Sequence, residues 1–169
     1  MLLVWPSLLS SGLTLVSIAI LLAAAMHDVI ARTVPNWMAI ALAVLGVASR
    51  ILHGSLLIGF GAAFAVFVLA AFCWRRGWLG GADVKLLGAA ALIVSPGDVP
   101  GFISAVALAG AVLALLYLVA RRVTPLPAAH RPNRFVARAL RVERWRIHRG
   151  GPLPYAFAIA AGFLFVVLH

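Results

Sequence analysis

Negative charge is almost missing from this sequence: four of its 169 residues are acidic, against fourteen Lys and Arg. Charge of either sign is scarce, at 11% of residues, where a soluble domain carries roughly 25%. Cysteine occurs once, at Cys73, which excludes an intrachain disulfide and a cysteine-based zinc site and leaves a free buried thiol. No His/Asp/Glu cluster has metal-ligand spacing, so neither a metal nor another cofactor is expected. The opening MLLVWPSLLSSG has no positive n-region, so the first apolar block reads as a retained span and not as a cleaved signal. No internal repeat interrupts the Ala/Leu/Val-rich composition.

Apolar residues are what the chain has in quantity: 64% of the total, with a mean hydropathy of +1.11. They come in long blocks, and a helix crossing a hydrocarbon core needs about 20 mostly apolar residues. Six blocks stand out, at Leu8 to Met26, Trp37 to Leu52, Ser55 to Cys73, Asp83 to Ser95, Phe102 to Ala120 and Leu153 to Leu168. The fourth is short for a span, which predicts shielding by neighbouring helices. The expected fold is all-α: a polytopic membrane protein of about six transmembrane helices, one integral membrane domain over 1–169 with a basic loop at 121–152.

A formal charge of +10 would suggest nucleic acid in a soluble protein. Here nine of the fourteen basic residues lie between Arg121 and Arg149, and basic clusters beside spans set topology and touch anionic lipid. No nucleic-acid partner is expected. With the N-terminus outside, Arg32, Arg75, Arg76, Lys85 and those nine face the cytoplasm, and Arg50 alone faces the other side. The positive-inside rule therefore places both termini on the non-cytoplasmic side of the inner membrane. Within the loop, Phe135, Ala139, Val142 and Trp145 recur at helical spacing among arginines, which fits an interfacial helix or a solvated anchor.

Of the four acids, Asp98 lies in a Ser-Pro-Gly-Asp-Val-Pro turn and Glu143 among arginines of the loop. Asp28 and Asp83 fall where spans meet the cytoplasm, and an ionisable group buried unpaired there is costly. Each has a plain structural reading. Asp28 is placed for an i,i+4 pair with Arg32, and Asp83, after Gly-Gly-Ala, for the N-cap of the fourth span. Their shared membrane face, in a chain so poor in acids, favours a joint role.

The flanking residues point the same way. Asp28 heads D-V-I-A-R-T-V-P-N-W, and Asp83 lies in G-G-A-D-V-K-L-L-G-A. These stretches resemble the two signatures of the type IV prepilin peptidases, membrane aspartyl proteases of the GxGD type. Asp28, Arg32, Val34, Pro35 and Asn36 match the first signature; Gly80, Asp83 and Lys85 match the second. Pro154-Tyr155, leading into A-I-A-A-G, is similar to the segment that opens the last span of that family. Ala82 replaces the second glycine of Gly-x-Gly-Asp, and Ala156 the glycine after Pro-Tyr. Glycine permits positive φ and close approach, and Gly81 is next door to supply a bend.

The resemblance implies an aspartic endopeptidase that removes the short leader of a prepilin, its substrate, at the cytoplasmic membrane face, with Asp28 and Asp83 as the catalytic carboxylates. The first apolar block comes early and the paired cysteines of the bifunctional members are missing, which implies the compact, peptidase-only form of tight-adherence (Flp) pilus systems, without methyltransferase activity. Hydrolysis by such a pair needs one carboxylate to activate water and one carboxylic acid to protonate the carbonyl oxygen; two carboxyls close together share a proton. The two are 55 positions apart, so only the fold can join them. Pro35 is expected to start the second span and Asn36 to bond loop backbone. Gly80 and Gly81 should let Asp83 approach the first span, and Lys85 either orients substrate or snorkels to the interface. A small transporter using the aspartates as ion sites and a non-catalytic pilus-assembly scaffold are the competing readings.

Overall fold

A computed structural model describes residues 4–123, 141, 144–145 and 153–169, all of them helix, turn or loop with no strand among them. Among the described residues six helices are bounded at both ends, in order: α1 Val4–Ala31, α2 Asn36–Leu52, α3 Leu56–Arg75, α4 Gly81–Ile93, α5 Val99–Val123 and α6 Tyr155–Leu168. Each apolar block of the sequence overlaps one of them. Leu8–Ala31, Leu56–Arg75 and Val99–Val123 are long and apolar enough to cross a membrane. Phe135, Ala139, Val142 and Glu143 lie outside the described residues, and the loop reading rests on them.

Helix ends differ from the hydropathy blocks, because a block ends with its apolar residues and a helix with its hydrogen bonds. α1 continues past Met26, so Asp28 lies inside its last turn. The Arg32 N–H still donates to the Asp28 carbonyl at 2.8 Å. Arg32 itself turns to φ 55, a left-handed closure normally left to glycine and costing a non-glycine residue about 1–2 kcal/mol. The His27 ring bonds the Thr33 carbonyl across this closure. Pro35, at φ −58, is the N-cap of α2, where its missing N–H costs nothing. Asp98 is exposed in a turn, its N–H bonded to the Ser95 carbonyl at 2.9 Å.

Backbone contacts divide the chain into two compact units, Met1–Ala109 with Pro154–His169, and Gly110–Leu153. In the first, α4 is central. It packs against α2, α3 and α6, while α1 packs against α2 and α6. Val84 and every residue from Leu86 to Ile93 are buried, as befits a helix enclosed on all sides. This is the shielding its 13 residues require, since they extend only about 20 Å. Phe102 and Phe163 meet edge to face, 6.4 Å between centroids, and lock α5 to α6. Outer faces are apolar: Leu57, Ile58 and Phe64 of α3 are mostly exposed, a surface that suits acyl chains.

Candidate active site

The end of α1, the start of α4 and the start of α6 meet at one end of this unit. Asp28 arrives on the last turn of α1 and is 8% exposed. Its Oδ2 accepts a hydrogen bond from the Ala156 N–H at 3.3 Å, across 128 positions of chain. Pro154 is the N-cap of α6, so Ala156 is the second helical residue and its N–H has no partner within the helix. The carboxylate therefore sits on the positive end of the α6 dipole.

Asp83 is also 8% exposed. It is not the N-cap of α4, as the Gly-Gly-Ala context suggests, because the helix begins earlier, with Gly80 in that place. Asp83 is the third helical residue and reaches back to accept the Gly80 N–H at 3.2 Å, the reciprocal half of a capping box. A Cβ on Gly80 would stand 2.7 Å from Asp83 Oδ2, so a side chain here would push that oxygen aside; the backbone itself, at φ −77, makes no demand for glycine. At Gly81 a Cβ would meet Trp74 at 3.4 Å, an ordinary contact. Ala82 lies in the first turn of α4, and positive φ among the described non-glycine residues is confined to Arg32. Alanine in place of the motif glycine is therefore unstrained here.

The two carboxylates lie close enough to act on each other electrostatically. Tyr155, the first residue of α6, lies within the same reach of Asp83 and lines an apolar cavity of about 220 Å³ with Cys73, Trp78 and Leu87. The structure thus brings Asp28, Asp83, Gly80, Pro154 and Tyr155 together. Asn36 and Lys85 form a separate link, Lys85 Nζ donating to Asn36 Oδ1 at 2.9 Å. Asn36 bonds this side chain and not the loop backbone expected of it. The link joins the two motifs across 49 positions and ties the start of α2 to the second turn of α4. Both residues also line an apolar groove of about 520 Å³, together with Ala39, Ala43, Gly88, Phe60 and Phe64.

Sequence reasoning missed the Ala156 N–H, since a backbone donor has no side-chain signature; its signal was the position two residues after Pro154, at a helix start. Among the described residues no three His, Cys, Asp or Glu gather in one place.

The family model of the type IV leader peptidases matches residues 15–115. The chain belongs to that family. The match includes both motif aspartates of this leader peptidase and ends before Pro154-Tyr155. No curated protein and no solved structure gives a match.

Proposed function

We propose that this leader peptidase is an aspartic endopeptidase whose catalytic pair is Asp28 and Asp83. The observation that carries the reading is the meeting of two buried carboxylates, each 8% exposed, from motifs 55 positions apart. Each is held by a backbone N–H at the start of a helix. Backbone donors hold one oxygen of each group without spending a side chain.

Two carboxyls that act on each other in this way are most stable with one proton between them. A water bound to the ionised member loses a proton to it as the water oxygen attacks the peptide carbonyl carbon. The protonated member gives its proton to the carbonyl oxygen. The tetrahedral adduct then collapses: one of its hydroxyls returns a proton to the pair as the C=O bond re-forms, the C–N bond breaks, and the amine nitrogen takes a proton from the pair, which is left with the single proton it began with. No metal enters this sequence.

The bundle is read as six spans in the inner membrane, with both termini outside and the pair at the cytoplasmic face. The distribution of basic residues supports this. Arg50, the lone exception, is buried in the bundle and is no loop charge. The basic segment at 121–152 then lies against anionic lipid on the cytoplasmic side. Residues 1–169 act as a single peptidase domain of the compact Flp type, without methylation.

The substrate is a prepilin, a short polar leader followed by an apolar helix. That helix lies in the groove between α2, α3 and α4, which places its polar junction at the Asn36–Lys85 end, two residues along α4 from Asp83. Ala43→Phe, which fills the groove away from the carboxylates, should raise KM for a prepilin by about tenfold with kcat little changed, the mark of lost uniform binding. A second prediction concerns the α6 amide. Ala156→Pro removes the N–H that Asp28 accepts, while the first turn of a helix tolerates proline. Losing a bond to a buried charged group costs about 1.5–3 kcal/mol, so kcat should fall by about 10- to 100-fold in a protein that still folds. Ala156→Gly keeps the N–H and should keep most of the rate.

The direct test is leader removal from a Flp-type prepilin by the purified chain in liposomes, read by mass spectrometry. An intact leader after prolonged incubation with correctly inserted protein overturns the assignment.

A further inference from the structure

The far end of α4 carries a second polar site that leader cleavage does not use. A cavity of about 760 Å³ opens there, lined by Ser11, Thr14, Ser49, Arg50, His53 and Ser55 among others. Arg50 is 5% exposed. Its Nη2 donates to the Ile93 carbonyl at 2.9 Å and its Nη1 to Ser55 Oγ at 3.1 Å. Ile93 is the last residue of α4, so the guanidinium caps the negative end of that helix. Both acceptors are neutral.

Among the described residues no carboxylate side chain lies beside the cation. No acid lines the cavity. Asp28 and Asp83 are at the other end of α4, and Asp98 is exposed in the following turn. The buried Nε has no hydrogen-bond partner among the described residues, and each Nη has used one of its two N–H groups. The niche is nonetheless shaped for this side chain, since a Cβ on Gly59 would stand 2.4 Å from Arg50 Cδ. A buried, built-in cation with spare donors and no counter-ion among the described residues is short of one negative charge.

We infer that this cavity binds a phosphate-class anion, whose oxygens complete the donors of Arg50 among the surrounding hydroxyls. A phospholipid headgroup and free phosphate share that chemistry. The cavity is amphipathic, with Leu15 and Leu168 also on its wall, which suits a headgroup continuing into acyl chains. The site lies about 15 Å along α4 from Asp83 and is independent of the catalytic assignment.

The test uses the full chain, stripped of lipid in detergent. In the first arm, native mass spectrometry compares retention of dioleoylphosphatidylglycerol with that of dioleoylglycerol, which has the same acyl chains and no phosphate. In the second, inorganic phosphate alone is added and the thermal midpoint is followed. Charge-assisted bonds of this kind predict about tenfold preferential retention of the phospholipid by the wild type, lost in Arg50→Gln. Ser11→Phe narrows the cavity without touching the α4 cap. It should lose the same preference while leader removal stays at the wild-type rate, and it decides the matter if Arg50→Gln does not fold. Preference in the first arm assigns the site to a headgroup; stabilisation in the second arm alone assigns it to the free anion. Equal retention of both lipids with no effect of phosphate overturns the inference, as does a preference unchanged in Ser11→Phe and in folded Arg50→Gln.

Discussion

Asp28→Asn and Asp83→Asn should each reduce leader removal by about 10³-fold or more, with the protein still inserted and helical. Asparagine has the shape of aspartate and an oxygen able to accept the Ala156 or Gly80 N–H, so little of the local structure should change. What it cannot do is take a proton from water or return one to the carbonyl oxygen, and positioned proton transfer is worth about 10²–10⁴ in rate for a single group. Because the proposed pair works as a unit, the double variant should be hardly slower than either single one. Prepilin shortening on co-expression, with membrane insertion followed in parallel, checks both statements. Multiplicative loss in the double variant would mean two separate roles in place of one shared proton. Full activity in both single variants would remove the carboxylates from the chemistry.

The same variants separate the peptidase from its competitors. A transporter carrying ions on these acids would sit them near mid-membrane, whereas here they lie in the last turn of α1 and the first turn of α4. A scaffold would mature pilin normally with both aspartates replaced.

What could be read ahead of the structure follows from where the information resides. Asp28, Asp83, Pro35 and Lys85 are side chains in local patterns, and the apolar blocks are long, so helices and motif residues were visible. The link between Asn36 and Lys85 was not, because it depends on α2 and α4 packing side by side. The Ala156 N–H was hidden for another reason, being a donor that every residue except proline carries. The burial of Arg50 was not visible either. Counting charge per loop assigns it to the outer surface, but the open carbonyls at the end of α4 and the space left by Gly59 draw it into the bundle. The two alanine departures looked like obstacles only while the motif glycines were taken to need positive φ. At Ala82 the backbone is helical, and at Ala156 the N–H is what the site uses.

Gly162→Leu should be the most damaging single change to the fold. A Cβ at this position would lie 2.5 Å from Val106 Cγ2, 2.7 Å from its N and 2.9 Å from its Cα. Two of those atoms are backbone and cannot rotate away, so α6 must move off α5. Between helices in lipid, close packing of small residues supplies much of the association that the hydrophobic effect supplies in water. Overpacking costs about 1–3 kcal/mol, and more when backbone is struck; the thermal midpoint in detergent should drop accordingly. Val106→Ala should restore little, since it removes the Cγ2 contact and leaves the other two. Gly12→Ala is the opposite case. No atom lies within 4 Å of its added Cβ, and alanine favours the helix by about 1 kcal/mol, so it should be neutral or stabilising. The loss at Gly162 should also reach the chemistry. Ala156 is six residues earlier on the same helix, about 9 Å away, and a tilted α6 carries its N–H off Asp28. A Gly162→Ala protein that still folds should therefore lose leader removal in step with Ala156→Pro, and full activity in a folded Gly162→Ala would show that α6 does not position the pair.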